Sequence, residues 1–429
     1  MSLRSFALVL AFLPALPAVA QNLLIRDATV HTATAQGTLA HADVLVRDGK
    51  IAAIGQNLPA DGVAVVEAGG LPLTPTLFGG IGGIGLEEVS SEIFTRDDAL
   101  ALGATAKDIV VRPEFDVTLA YNPDTILAPV ARVEGIGFTL LPATPTPGGS
   151  IIGGQGAVVR LDGTPDPVGP RVLFVRLGGG SSEFSGASRA GQWMLLDQLV
   201  SELRGAVPAG MAHLTPAGRE VLARYIGGGG RIVFEVQRAA DIRQLLRWSG
   251  RHGLAIAISG GAEAWKLAPE LAAAKVPVFL DALAGLPADF DQIHATLQNA
   301  ARLRAAGVAV GFSPSGDGSH NARKNRQIAG NAVAHGLPWE DALAGLTRVP
   351  AETFGVADAI GSIAVGKRAD LVLWSGDPLD VAHTARQVWM DGRAIPMRSR
   401  QTELRDRYLR PTPRPEQGEL PRAYPAQGR

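Results

Sequence analysis

The sequence predicts a mixed α/β protein, in which a (β/α)8 barrel is joined to a small β-sandwich domain built by both chain ends. Four apolar segments start at residues 231, 254, 276 and 308, and each is followed by a helical pattern. Apolar strands that alternate with helices are typical of a parallel sheet covered on both faces. The number of strands and the length of this region favour a barrel. A doubly wound open sheet is the alternative.

Two hairpin signals predict the β domain. Asp48 and Asp391 are each followed by glycine, and each pair lies between apolar runs. An Asp-Gly pair in this position favours a tight turn because both residues tolerate positive φ. We therefore assign residues 21–75 and 362–398 to a composite β domain and residues 76–361 to the barrel.

Both ends of the sequence have their own predictions. Arg4 is followed by an apolar run too short to span a bilayer, and then by the small-residue sequence Ala-Val-Ala that ends at Ala20. This order is typical of a cleaved secretory signal, so we expect residues 1–20 to be removed and the protein to be exported to the periplasm. At the other end, the proline-rich residues 399–429 predict a disordered tail.

Composition narrows the classes of function. The formal net charge is −1 at pH 7, so charge gives no case for binding nucleic acid or an anionic membrane. No segment after the signal has the run of about 18 apolar residues that a membrane-spanning helix needs. The chain has no cysteine, which excludes disulfides and any thiolate that could bind a metal or attack a substrate.

The run FGGIGGIG at residues 78–85 has the glycine spacing of a dinucleotide-binding loop. Such a loop should follow the first strand of a βαβ unit and open a helix. Here the preceding segment LPLTP continues the β domain instead. We therefore do not expect a dinucleotide at this position.

The segments that flank the barrel region resemble the amidohydrolase superfamily, in its imidazolonepropionase-like branch. ADVLVRDGKIAAIG followed by LPLTP resembles the family's entry into its barrel. GSIAVGKRADLVLWSGDPLD followed by VWMDGRAI resembles its return to the β domain. The resemblance implies a hydrolase that acts on carbon–nitrogen bonds other than peptide bonds and that uses a divalent, zinc-type metal.

The resemblance also implies metal ligands at the ends of four barrel strands. It places a His-x-His pair after the first strand, single histidines after the fifth and sixth, and an aspartate after the eighth. In this sequence Ile81 and Gly83 stand at the His-x-His positions, and Glu235 stands at the fifth-strand position. Gly260 and Ser313 stand at the sixth and eighth. Isoleucine and glycine have no side-chain donor, so the sequence predicts a degenerate metal site.

Polar residues near the strand ends are candidates for contacting a ligand. Each also has a structural interpretation, either as part of an ion pair or as the solvated start of a helix capped by Ser319. A buried carboxylate needs a partner, which for Glu235 is either Arg238 or a metal. The candidate binding residues are Glu235, Arg238, Glu263, Asp281, Asp317, His320 and Arg323.

These observations lead to one leading hypothesis and two alternatives, and to no assigned catalytic residue. The leading hypothesis is a pseudoenzyme that binds a small molecule at the barrel mouth and has weak or no metal-dependent hydrolysis. One alternative keeps hydrolysis, with metal ligands relocated to Glu235, Asp281, Asp317 and His320. The other is a non-catalytic partner subunit, in a homo-oligomer or beside a paralogue.

Overall fold

The structure is a computed structural model that describes residues 22–100, 111–145, 150–316 and 318–409. The predicted signal at residues 1–20, the candidate Asp317 and residues 410–429 of the tail lie outside these ranges. The described chain forms two sheets of eight strands each, which confirms a mixed α/β fold. None of its described helices is long and apolar enough to cross a membrane.

The first sheet begins with five strands. They are β1 (Leu23–His31), β2 (Thr38–Arg47), β3 (Lys50–Gly55), β4 (Ala64–Glu67) and β5 (Pro72–Pro75). Strands β2 and β3 form the predicted hairpin, in which Arg47 lies opposite Lys50. Between them Asp48 and Gly49 have φ of 51° and 76°, the left-handed conformation that the turn requires.

The second sheet is the barrel. Its strands are β6 (Leu77–Ile81), β7 (Ile136–Leu140), β8 (Ile152–Arg160), β9 (Val168–Arg176), β10 (Arg231–Val236), β11 (Ala255–Gly260), β12 (Val278–Leu280) and β13 (Val310–Phe312). Neighbours in the sheet are neighbours in the sequence, from β6 to β13. This order agrees with a barrel and not with a doubly wound sheet, in which the order reverses.

One barrel strand runs against the others, which corrects the prediction of a regular (β/α)8 barrel. Strand β8 is antiparallel to both β7 and β9, whereas the other neighbouring pairs are parallel. Only residues 161–167 connect β8 to β9. A crossover between parallel strands needs a dozen or more residues, so this short connection reverses the chain and makes a hairpin.

Side chains connect the last barrel strand to the first. Ile81, at the end of β6, donates its N–H to Ser313 Oγ just after β13, at 3.0 Å. The buried amide of Asn325 donates to Phe78 O at 2.8 Å and to Phe312 O at 3.1 Å. These bonds cross from β13 to β6 and leave the barrel nearly closed.

After the barrel the chain returns to the first sheet. Its last strands are β14 (Leu371–Trp374), β15 (Ala385–Met390) and β16 (Arg393–Ala394). The order in this sheet is β16-β15-β14-β5-β1-β2-β3, with β4 paired to β1. Strands from both ends of the described chain are thus hydrogen-bonded in one sheet. The two-layer sandwich stays a prediction.

Six of the described helices lie between barrel strands, three follow the last barrel strand, and one follows the last strand of the first sheet. They are α1 (Leu127–Arg132), α2 (Arg189–Leu203), α3 (Pro216–Ile226), α4 (Ala239–His252), α5 (Ala268–Ala273), α6 (Asn299–Ala305), α7 (Lys324–Ala334), α8 (Trp339–Gly345), α9 (Arg348–Thr353) and α10 (Arg400–Tyr408). Leu196 of α2, Ile242 of α4 and Leu271 of α5 share a core cluster with Phe234 and Ile258 of the barrel. Apolar residues of the strands therefore hold the helices in place.

Local signals set the ends of several helices. Thr215 accepts the N–H of Gly218 and so caps α3. Helix α4 ends at Gly253, which has a left-handed φ of 64°. Ser399 and Thr402 form a capping box at the start of α10, within the range that the sequence assigns to the tail.

Alternate residues of the barrel strands fill its interior. Phe78, Val233 and Phe279 come from three strands and belong to one buried cluster with Phe354. The Phe279 ring stacks on Phe354 with centroids 5.0 Å apart and lies 6.0 Å from Phe78. Phe234, next to Val233, belongs to the cluster shared with the helices. The strand period thus separates a packed interior from the helix-facing side.

Candidate functional site

Five barrel strands end at one rim of the barrel, which we call the mouth. In a strand, every second side chain points to the same side of the sheet. In each of β9 to β13, the residue two positions after the last interior side chain therefore lies at the mouth. They are Arg176, Glu235, Ser259, Asp281 and Ser313.

An ion pair lies at the mouth between neighbouring strands. Arg176 Nη2 is 2.7 Å and Arg176 Nε is 2.8 Å from Glu235 Oε2. The two residues are direct partners in the parallel pairing of β9 and β10. Both side chains are partly exposed, at 32% for Arg176 and 44% for Glu235. The pair therefore presents both charges to solvent at the mouth.

Arg176 is the partner of Glu235 that sequence reasoning missed. The candidate partner Arg238 instead donates from Nη2 to Asp241 Oδ1 at 3.0 Å. A signal was present, since Arg176 ends the apolar segment RVLFVR that precedes RIVFEV in the sheet. Parallel pairing of these two segments places their last polar residues side by side.

The cavity beside this ion pair is small. Its volume is about 50 Å3, which is room for a few water molecules. Ligand pockets for drug-sized molecules are usually several hundred Å3. The residues that line the cavity are Ile81, Pro142, Ala143, Thr144, Pro145, Phe174, Val175, Arg176, Val233, Glu235 and Ser259.

The positions at which the family resemblance implies metal ligands make other contacts in this structure. Ile81 and Ser313 bond to each other through the Ile81 N–H and the Ser313 hydroxyl. Gly260 has φ of 89°, and a Cβ there would lie 2.3 Å from Gln237 Nε2. A Cβ at Gly83 would meet Ser319 Oγ at 3.3 Å. Ile81 and Ser313 thus serve strand closure and Gly260 serves close packing, whereas Gly83 is only modestly crowded.

The donor set does not fit the zinc-type metal that the family resemblance implies. Such a metal takes three or four nitrogen, oxygen or sulfur ligands at about 2.0–2.3 Å. Across residues 22–100, 111–145, 150–316 and 318–409, no three histidine, aspartate or glutamate side chains are grouped so as to hold a metal ion. Glu235, the carboxylate at the fifth-strand position, is bound by Arg176 instead.

The glycine run that starts within β6 shows where the chain excludes side chains. A Cβ at Gly79 would lie 2.9 Å from Ile136 Cγ2, and one at Gly80 would lie 2.8 Å from Pro314 Cδ. Gly80 also has φ of 94°, which disfavours other residues. The first part of the run is therefore needed for tight packing of β6 against its neighbours.

The other predicted mouth residues do not converge on one point. Asp281 accepts hydrogen bonds from the N–H and hydroxyl of Ser315, at 3.1 and 3.0 Å. His320 is exposed in a short 3-10 turn. The exposed Arg323 lies 3.4 Å from Gln401 Oε1 of α10. Asp317 is outside the described residues.

Ser319 does not cap a helix as the sequence suggests. Its N–H donates to Glu87 Oε1 at 2.7 Å. The 3-10 turn begins after Gly318, and α7 begins only at Lys324. Glu87 thus connects the loop after β6 to the loop after β13.

Glu263 is a buried connector between two loops of the mouth. Its Oε1 accepts the His294 N–H at 3.1 Å and lies 2.8 Å from His294 Nδ1. Its Oε2 accepts the Ala239 N–H at 3.1 Å. Burial opposes the charge, but these hydrogen bonds and Lys266 outweigh burial and hold the pKa of Glu263 below its usual value.

The Glu263→Gln variant is expected to lose about 1–3 kcal/mol of the free energy of unfolding at neutral pH, because hydrogen bonds to a charged acceptor are the stronger ones. Since the folded-state pKa is lowered, the carboxylate stabilises the fold above its ordinary pKa. That contribution is lost as the pH falls through the folded-state pKa. Denaturant titrations from neutral pH to about pH 3 should show the two proteins converging in acid. A constant difference would contradict this role.

Comparisons with known proteins point to one superfamily. The amidohydrolase family pattern matches residues 319–396. The amidohydrolase tasK of Hapsidospora irregularis is 44% identical over 66 residues, which are 15% of this chain and 7% of that protein. The imidazolonepropionase of Acidiphilium cryptum is 37% identical over 84 residues, 19% of this chain and 20% of that protein. Each match spans a small part of the curated relative.

Solved structures match over most of the chain. An amidohydrolase from Thermotoga maritima MSB8 has a TM-score of 0.75 and 25% identity, and the match covers 87% of this chain and 99% of that one. Molinate hydrolase shares the fold, with a TM-score of 0.54, 13% identity and coverage of 96% and 100%. With the family match over residues 319–396 and this fold over 87% of its length, the chain belongs to the amidohydrolase superfamily.

Proposed function

We propose that this chain is an amidohydrolase-fold protein that has lost metal-dependent hydrolysis and binds a small polar molecule at the barrel mouth. The superfamily implies a class of hydrolases for carbon–nitrogen bonds other than peptide bonds. One observation carries the proposal: the expected ligand positions hold an alkyl group, two glycines, a hydroxyl and a carboxylate already paired with arginine. Without ligands of the right kind, no metal is held to activate water.

The mouth still offers polar groups to a ligand. Arg176 and Glu235 are both partly exposed there, and Thr144 and Ser259 line the same cavity. The arginine can donate to an acceptor, and the carboxylate can accept from a donor. Because the cavity is only about 50 Å3, it admits one polar end of a molecule. Small carboxylates and amides fit this description.

Purified protein is expected to show no metal-stimulated turnover of cyclic amides, dipeptides or amidines. The assay compares protein freed of metal by chelation with protein to which Zn2+ or Mn2+ is added. The matched variant is Glu235→Ala, which removes the carboxylate at the fifth-strand position. Turnover that rises with metal would contradict the proposal, and its loss in Glu235→Ala would favour relocated ligands.

A further inference from the structure

The loop after β12 crosses the mouth and is attached to three other loops. We call residues 281–298 the strap. At its start, Asp281 accepts hydrogen bonds from Ser315, which follows β13. In its middle, Asp291 contacts the loop after β9. Near its end, His294 is held by Glu263, which follows β11. The strap therefore joins loops from separate parts of the rim.

The middle attachment places a carboxylate in a fitted seat. Asp291 Oδ2 accepts the Gly179 N–H at 2.6 Å, and Asp291 Oδ1 is bonded to Arg189 Nη2. A Cβ at Gly178 would lie 2.8 Å from Asp291 Oδ2, and one at Gly179 would lie 2.9 Å from Arg189 Nη2. Gly178 also has φ of 109°. The glycines thus leave space that a carboxylate and a guanidinium fill.

The surroundings of this seat contain polar atoms with unused hydrogen-bonding capacity. Ser181, two residues beyond Gly179, is fully buried. Its hydroxyl has no hydrogen-bond partner in the part of the chain that the structure describes, and the same holds for the buried Nε of Arg238. Arg189 and Arg238 both bond to Asp241, at 3.2 and 3.0 Å. Asp241 compensates one of these two guanidinium groups, so one positive charge is left for an anion in the seat.

Among the described residues, the middle of the strap has few other attachments that hold it in place. Phe290, next to Asp291, is 88% exposed, Leu286 is 82% exposed and Ile293 is 52% exposed. Large apolar side chains left in solvent contribute no burial to the free energy that keeps a segment in position. The Asp291 carboxylate therefore supplies most of the attachment between His294 and the start of the strap.

We propose that the seat formed by Gly178, Gly179 and Arg189 is a carboxylate-binding site, in which Asp291 is an internal occupant that a ligand's carboxylate displaces. The seat begins two residues after Arg176 of the mouth, in the loop that follows β9. Displacement frees the middle of the strap and widens access to the mouth. This inference rests on the proposed function, because it supplies the ligand class for the same mouth.

The test uses the full chain with Asp291→Asn, which removes the charge and keeps the shape. Asp289→Asn is the matched control: Asp289 lies in the same loop and accepts the Asp291 N–H at 2.8 Å, outside the seat. Acetate is titrated into arginine-labelled protein in the presence of EDTA. The Arg189 Nε–H signal, assigned through Arg189→Lys, is followed by NMR. We expect a saturable shift in Asp291→Asn and a much weaker response in the parent and in Asp289→Asn.

Chymotryptic cleavage after Phe290 supplies the second measurement. Asp291→Asn should be cut roughly tenfold faster than the parent, because cleavage of a native loop follows the free energy of local opening. Asp289→Asn should stay near the parent rate. Equal acceleration in both variants, or no acetate response in Asp291→Asn, would overturn the inference. Metal-stimulated turnover would overturn the proposed function instead, and the acetate result, obtained in EDTA, would be unaffected by it.

Discussion

The Arg160→Met variant is expected to lose about 3–5 kcal/mol of the free energy of unfolding, because it leaves a buried carboxylate without its partner. Arg160 ends β8 and is buried. It pairs with Asp370 at 3.0 Å, with Asp391 at 3.1 Å and with Asp162. Asp370 and Asp391 belong to the return into the first sheet. Arg160 thus connects the barrel to the β domain.

The charge on Arg160 is maintained by these carboxylates. Burial alone would lower its pKa, but Asp370, Asp162 and Asp391 outweigh burial and raise the pKa of the guanidinium. Removing the cation leaves the buried Asp370 with the Asp391 N–H but without its guanidinium partner, which is the costly change. The Arg160→Met/Asp370→Asn double variant should therefore recover part of the lost stability, which urea titration would measure.

Arg393→Met is the control for Arg160→Met. Arg393 is partly exposed and its Nη2 lies 3.9 Å from the same Asp391 Oδ2. A pair of this kind contributes about 0–1 kcal/mol. Equal losses in Arg160→Met and Arg393→Met would contradict the buried connector.

The Phe279→Ala variant is expected to lose about 3–5 kcal/mol of the free energy of unfolding, the usual cost of removing a buried phenyl ring. Phe279 is fully buried and stacks on Phe354, and it contacts the position of Gly311, where a Cβ would lie 2.4 Å from its ring. The surrounding strands cannot collapse into the space, so a cavity remains. Chemical denaturation would measure the loss.

Phe94→Ala is the control for the interior ring. Phe94 is 97% exposed, so its removal should change the free energy of unfolding by less than about 0.5 kcal/mol. A small effect at Phe279 would mean that the barrel interior is loosely packed. In that case the phenyl rings would not fill the space below the mouth as they do in the structure.

Apolar periodicity predicted the later barrel strands well. Segments starting at residues 231, 254, 276 and 308 became β10 to β13, although β12 and β13 keep only three residues each. Periodicity reports burial and says nothing of strand direction, so it could not reveal that β8 is reversed. The length of the connection at residues 161–167 carried that information.

Contacts at the mouth could not be predicted from residues that are close to each other in the sequence. Arg238 follows Glu235 closely in the sequence, yet α4 starts there and directs it to Asp241. Glu263, a candidate ligand contact, is the buried acceptor for His294. The partners Arg176 and His294 come from other strands and loops. Their pairing depends on sheet register and loop path, which a single sequence does not specify.

Packing explains the glycines at the start of the glycine run, but it does not explain Gly83. Gly79 and Gly80 are required by the packing of β6 against Ile136 and Pro314. A side chain at Gly83 would meet only modest crowding, from Ser319 Oγ at 3.3 Å. Packing therefore does not explain every missing donor. The absence of a ligand at residue 83 is a chemical feature of the chain, as expected if no metal is held there.

The central claim is that this amidohydrolase-fold chain holds no metal at the barrel mouth. The most direct measurement is the metal content of purified protein by inductively coupled plasma mass spectrometry, after exposure to excess Zn2+ and exhaustive dialysis against metal-free buffer. We expect zinc, manganese, iron and nickel all to remain far below one equivalent per chain. One or more equivalents of a tightly held transition metal would contradict the account, and loss of that metal in Glu235→Ala would place it at the barrel mouth.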